Sequence, residues 1–236
     1  MNLSAAEGQK VVDSYLKYLS KQGYKPKTLN RRCVSLNRFI KYVGIDIKAK
    51  SVKIQKKLFL NNILSSKDVS KMLHKCNNKR DRAIIITLYG TGIRVSELLT
   101  LTIDDVTKRS ITIKGKYGKH REILLSSQVR KALKEYLEVR PKIKEKQLFI
   151  GRQGAITRQT VNNIINKYAS KSYIAMSKAY PHSLRHLFCK RLSEQGIPID
   201  IISSLAGHES LETTSIYTKR TKDELQDVLN KSFDIY

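Results

Sequence analysis

The 236-residue sequence contains only three cysteines, Cys33, Cys76 and Cys189, far apart along the chain. That excludes a disulfide framework and any paired metal-ligand spacing, leaving each cysteine as a small core residue. No stretch approaches the apolar length that crosses a bilayer, and the N-terminal "MNLSAAEGQKVVDSY" lacks the apolar centre of a signal peptide, so a cytoplasmic location is expected. There is no glycine-rich nucleotide loop and no cluster of carboxylates with metal-ligand spacing, which leaves no sequence ground for a nucleotide or metal cofactor. Above all the chain is short of acid. It has 46 Lys and Arg against 20 Asp and Glu, a formal net charge of +26. A compact protein at that charge repels itself unless a polyanion is its working partner, so nucleic acid is the default ligand. A membrane surface is the competing anion, but no helix gathers its basic residues opposite an aromatic face.

The charge is uneven. Residues 1 to 60 carry 14 Lys and Arg against three acids, and no acid occurs between Glu145 and Glu194, where there are nine Lys and Arg. From Glu194 onward acids outnumber Lys and Arg eight to four, so the C-terminal end is not expected to lie on phosphates.

Helical periodicity with terminal glycines marks "VVDSYLKYLSKQG" and "TLNRRCVSLNRFIKYVG" as a hairpin, residues 1–44. Residues 45–61, rich in lysine and without helical period, read as a basic linker able to follow a phosphate backbone. A larger domain, 62–220, follows. It opens with a Ser-capped helix, "SSKDVSKMLHKC", then an apolar helix in "RDRAIIITLYGTG" ending at Gly90, and a short "VSELLTL" helix. "SITIKGKYGKHREILL" is a β-hairpin with a Gly and Lys turn. Helices at "SQVRKALKEYLEV", "TRQTVNNIINKYA", "HSLRHLFCKRLSEQG" and "PIDIISSLAG" complete a mainly α fold with one small antiparallel β-sheet (α+β). Residues 221–236 form a tail with a capping pattern at Thr221 and Glu224 and an apolar face of Leu225, Val228, Leu229 and Phe233.

Several residues invite a functional reading, and each has an ordinary one. Arg94, beginning a helix in "GTGIRVSELL", could be merely solvated; Glu97, one turn later, could be an exposed glutamate. Lys116 sits in a flexible hairpin turn. His182 and Arg185, three apart in "PHSLRH", share a helical face. His186 points about a quarter turn away from Arg185 and reads as packing, and His120 reads as solvated or phosphate-touching. His208 and Tyr217 are nine residues apart, two and a half helical turns, so they share a site only if the chain bends after Gly207.

Together, "TGIRVSEL", the "KGKYGK" turn, "HSLRHLF" and "LAGHESLETTSIYT" resemble, in order and spacing, the tyrosine recombinases and phage-type integrases, and among them the compact Xer-like recombinases. The resemblance spans roughly residues 60 to 218. It implies a reduced helical core-binding (SAM-like) domain at 1–44, a catalytic domain at 62–220 and an exchange tail at 221–236. The activity it implies is cleavage and rejoining of double-stranded DNA through a 3′-phosphotyrosyl intermediate, by a homo-oligomer expected to be a tetrameric synapse that exchanges tails between subunits, with no cofactor and no metal.

The chemistry assigns roles to the same residues. Charge building on the non-bridging phosphate oxygens calls for fixed cations, and the paired donors of Arg94 and Arg185 suit them. Tyr217 is the expected nucleophile, with His182 as the base that helps a phenol of pKa about 10 to ionise. Lys116 would protonate the departing 5′-oxygen, His208 would hydrogen-bond the phosphate, and Glu97 would support the site electrostatically. Two rivals use the same residues differently: a non-catalytic DNA-binding relative, and a type IB topoisomerase that relaxes DNA as a monomer.

Overall fold

The structure, a computed structural model, describes residues 4–54, 63–114, 120–207 and 214. The chain divides into two compact units, Met1–Lys57 and Leu58–Tyr236.

The first unit is built on two helices, α1 (Ala5–Lys21) and α2 (Pro26–Val43). Ser4 and Glu7 form a reciprocal capping box at the start of α1, satisfying two backbone donors that the first turn leaves open. Pro26 starts α2 where its missing N–H costs nothing, and Gly44 ends it at φ 75°. Between the helices Val12, Cys33 and Ile40 are buried, with Leu16 and Leu36 packed against them.

Residues 45–54, expected as part of a linker, instead belong to this small core. Ala49 is buried in it, and three carboxamides hold the surrounding backbone. Asn37 donates to the Ala49 carbonyl at 3.0 Å and accepts from its N–H at 2.8 Å. Asn30 does the same with Val52 at 2.9 and 2.7 Å, and Gln9 with Lys48 at 3.1 and 3.0 Å. Each amide thus supplies the donor and acceptor that a neighbouring β-strand would have offered.

The second unit runs α3 (Ser66–His74), α4 (Lys79–Thr91), α5 (Val95–Leu98), β1 (Ser110–Lys114), β2 (His120–Leu124), α6 (Ser127–Leu137), β3 (Ile150–Gly151), β4 (Gly154–Ala155), α7 (Arg158–Lys171), α8 (Pro181–Glu194) and α9 (Ile199–Ala206). Helix α4 is its axis, packed against α6, α7 and α8. Ala83, Ile84, Ile85 and Leu88 are buried around much of its circumference, which is why its sequence reads as an apolar run rather than an amphipathic one. The helix does not stop at Gly90. Gly90 is a packing glycine, since a Cβ there would lie 2.7 Å from a Val129 methyl of α6; the terminator is Gly92, left-handed at φ 60°.

Strands β1 and β2 pair antiparallel with Ile111 opposite Ile123 and Ile113 opposite Arg121. A second two-stranded sheet, β3 with β4, was not evident in the sequence, its strands being two residues each. The loop before it is organised by Arg140, only 8% exposed, whose guanidinium donates to the carbonyls of Pro141, Glu145, Gln147 and Leu148. Among the described residues no helix is long and apolar enough to cross a membrane.

Candidate active site

The site forms where the turn after α4, the start of α8, strand β2 and the end of α9 meet. Arg185, on the second turn of α8, is 1% exposed. Its Nη1 donates to the Gly92 carbonyl at 2.6 Å, tying α8 to the turn that carries Arg94. Gly92 is required there twice over, by its positive φ and because a Cβ would lie 2.4 Å from the Phe188 ring. The remaining donors of Arg185, Nε and Nη2, are buried and have no partner among the described residues. They form the side edge of the guanidinium, the fork that grips two oxygens of one anion. Burial, and after it the charge of Arg94, push the Arg185 pKa down to about 10, so the group remains cationic at neutral pH.

Arg94 precedes α5. Its backbone N–H donates to Glu97 Oε2 at 2.8 Å, its Nη1 to Glu97 Oε1 at 3.0 Å, and its Nη2 to the Gly207 carbonyl at 2.6 Å. Glu97 is 7% exposed, so it is not the ordinary surface glutamate that was the alternative. Burial alone would raise its pKa, but hydrogen bonds from Arg121 and Arg94 outweigh that and hold the carboxyl below its usual range.

His182 begins α8 on the same face as Arg185. Partial desolvation first, then the positive charges of Arg185, Arg94 and Arg158, hold it below the ordinary imidazole value. His186 meets the His182 ring edge-on with centroids 4.4 Å apart, and burial pushes it down to about 4. Both rings are therefore neutral at pH 7. His182, Arg94, Tyr180, Arg158 and Asn162 line one open cleft of about 400 Å³. His120 lies exposed at the start of β2.

The structure thus places Arg94, His182 and Arg185 around one turn. Lys116, His208 and Tyr217 lie outside the described residues, as does the tail 221–236. Gly207 ends α9 left-handed, at φ 64°, which provides a change of chain direction directly before His208.

Two residues of the site were missed in the sequence. Arg158, the first residue of α7, lies in the acid-free stretch and resembles any solvated arginine. Arg121 was legible in principle. It shares a strand face with Ile123, two residues on, so period-two alternation turns it inward, and an inward arginine needs acceptors. It has them, in Glu97 Oε2 at 2.6 Å and the Leu205 carbonyl at 2.9 Å. Among the described residues no three His, Cys, Asp or Glu side chains gather as a metal site.

Residues 62–224 match the phage integrase family. The chain is 35% identical to the tyrosine recombinase XerA of Pyrococcus horikoshii, over 92% of this chain and 78% of that protein. It is 34% identical to the tyrosine recombinase XerC of Thermodesulfovibrio yellowstonii, over 98% and 85%. In fold it matches the XerH site-specific recombinase bound to a palindromic difH substrate in a post-cleavage complex, with a TM-score of 0.76 at 24% identity over 97% of this chain and 72% of that one. The crystal structure of XerA recombinase matches with a TM-score of 0.66 at 24% identity, covering 95% and 83%. The chain belongs to the phage integrase family, the tyrosine recombinases.

Proposed function

We propose that this protein is a site-specific DNA recombinase that cleaves and rejoins strands of double-stranded DNA through a 3′-phosphotyrosyl intermediate, with neither ATP nor metal. The observation that carries the reading is the buried, unpartnered Nε and Nη2 edge of Arg185 beside Arg94. A buried cationic fork is costly unless an anion completes it, and a DNA phosphate has the oxygens to do so. In this reading Arg94 and Arg185 neutralise the charge that builds on the non-bridging oxygens, and Glu97 orients Arg94. Neutral His182 accepts the phenol proton of Tyr217 as its oxygen attacks phosphorus. Lys116 gives a proton to the departing 5′-oxygen, and His208 holds the phosphate. The ester to tyrosine conserves the energy of the broken bond, so a second 5′-hydroxyl can reverse the step.

The working assembly in this proposal is a tetrameric synapse on DNA, in which the amphipathic, acidic tail 221–236 docks on a neighbouring subunit. A purely DNA-binding role would leave the Arg94, Glu97 and Arg185 arrangement without use. A relaxing topoisomerase would not need the tail.

The test is a duplex nicked near the cleavage point, which traps the adduct because the short strand diffuses away. The parent protein forms the covalent complex in EDTA without ATP and leaves a 5′-hydroxyl on the released strand. Tyr217→Phe binds the duplex like the parent and forms none. Tyr180 lines the same cleft and is the competing nucleophile, so Tyr180→Phe is the control and keeps activity. An adduct that survives in Tyr217→Phe and disappears in Tyr180→Phe would overturn the assignment.

A further inference from the structure

Arg121 has no part in the chemistry described above, yet it closes a ring around it. Strand β2 presents its side chain 14% exposed, with Nη2 on Glu97 and Nη1 on the Leu205 carbonyl near the end of α9. Glu97 holds Arg94 through both carboxylate oxygens, and Arg94 holds the carbonyl of Gly207, two residues beyond Leu205. Strand β2, the start of α5 and the end of α9 are thereby linked in a closed circuit of side-chain hydrogen bonds. Gly207 completes the fit. A Cβ there would lie 2.4 Å from Arg121 Cδ and 2.6 Å from its Nε, so the arginine stem lies directly against the glycine backbone.

We infer that Arg121 is a positioning residue for strand transfer, acting mainly through Glu97 to set where the Arg94 guanidinium stands, and secondarily through Leu205 to set where the chain leaves α9 toward His208. The inference rests on the proposed function. Arg94 is a long side chain that is 40% exposed, and the bonds of the ring to Glu97 and Gly207 fix its two terminal nitrogens. A misplacement of about 1 Å in a charge-stabilising group can cost on the order of a hundredfold in rate. Arg121 itself is a poor phosphate ligand, because both of its terminal nitrogens already serve protein acceptors and its remaining Nε, buried without a partner among the described residues, lies against the Gly207 backbone. Lysine at 121 would preserve the charge but not the two fixed donor directions.

The test is Arg121→Lys in the full chain, alone and combined with Glu97→Gln. The measurements are the single-turnover rate of covalent-complex formation on the nicked duplex, DNA affinity by fluorescence anisotropy, and thermal melting. Arg121→Lys is expected to slow adduct formation on the order of a hundredfold and to change affinity by less than about twofold, since a non-contacting residue should not weaken phosphate binding. In the Glu97→Gln background the same substitution should cost at least about tenfold less, because residues acting through one network are not additive. A parent-like rate in Arg121→Lys, an affinity loss as large as the rate loss, or equal rate losses in both backgrounds would overturn the inference. Should Arg121→Lys fail to fold, Gly207→Ala probes the same contact by displacing the arginine stem. It is expected to slow the reaction at parent affinity, and a parent rate would count against the proposal. Absence of any adduct in the parent would instead refute the recombinase reading.

Discussion

His182 turns the electrostatics of the site into a pH dependence. In its proposed role as the base it works only when neutral. Its pKa lies below the ordinary value of 6.5, because partial desolvation and three nearby arginines disfavour a further cation. The neutral form therefore persists as pH falls below 6.5, and activity should be lost only as pH drops through the lowered value. Single-turnover adduct formation by the parent is expected to hold nearly constant from pH 8 down to about the pKa of a free imidazole and to decline below it. His182→Gln should be slow at every pH and lack that acid limb. A limb of unchanged position in His182→Gln would assign it to another group. At this scale the sequence was informative where residue type and spacing single out side chains that the fold brings together, as for Arg94, His182 and Arg185. For Arg121 it offered only the inward register two residues from Ile123, because the acceptors that give the residue its place, on residues 97 and 205, are remote in sequence and joined only by folding.

At the scale of elements, helices were legible because capping residues and apolar period act locally. Ser65, Asn78, Ser126 and Thr157 all cap the helices that follow them. What escaped were segments whose partners are side chains. Residues 45–54 show no period because Lys48, Ala49 and Val52 bond their backbone to the side chains of Gln9, Asn37 and Asn30 rather than to a strand, and their one internal backbone bond among the described residues is the tight turn from the Ile47 N–H to the Ile45 carbonyl. The arrangement ranks the three carboxamides. Asn37 holds Ala49, which is 1% exposed, whereas Gln9 and Asn30 hold backbone that water can reach. Asn37→Ala strands a buried N–H and C=O and is expected to destabilise the first unit by about 1–3 kcal/mol. Asn30→Ala and Gln9→Ala should each cost about 1 kcal/mol or less. Hydrogen exchange at the Ala49 amide, followed by mass spectrometry of the full chain, reads this directly. Protection that survives in Asn37→Ala would mean the carboxamide does not hold the segment.

The charge of +26 acts at the scale of the whole molecule, and the docked segment makes part of it specific. Lys48, Lys50 and Lys53 are all exposed on backbone anchored to α1 and α2, so their ammonium groups start from a fixed strip rather than from a free chain. Lys48 and Lys50 are exposed on either side of buried Ala49, two residues apart and therefore at most about 7 Å along the chain. That places them within reach of successive phosphates on one strand, and anchoring reduces the entropy lost when they bind. Binding dominated by phosphates should weaken steeply with salt, by on the order of 10³ to 10⁵ between 50 and 200 mM if six to ten phosphates are neutralised. Replacing the three lysines with alanine should lower the magnitude of the log–log salt slope by about 2.7, roughly 0.9 for each lost contact. Preference for the cognate site over random duplex should be unchanged, since phosphate contacts carry no sequence information. Fluorescence titrations across salt with both duplexes supply the two quantities. An unchanged slope would remove the strip from the DNA interface, and a lost preference would show that these lysines read bases.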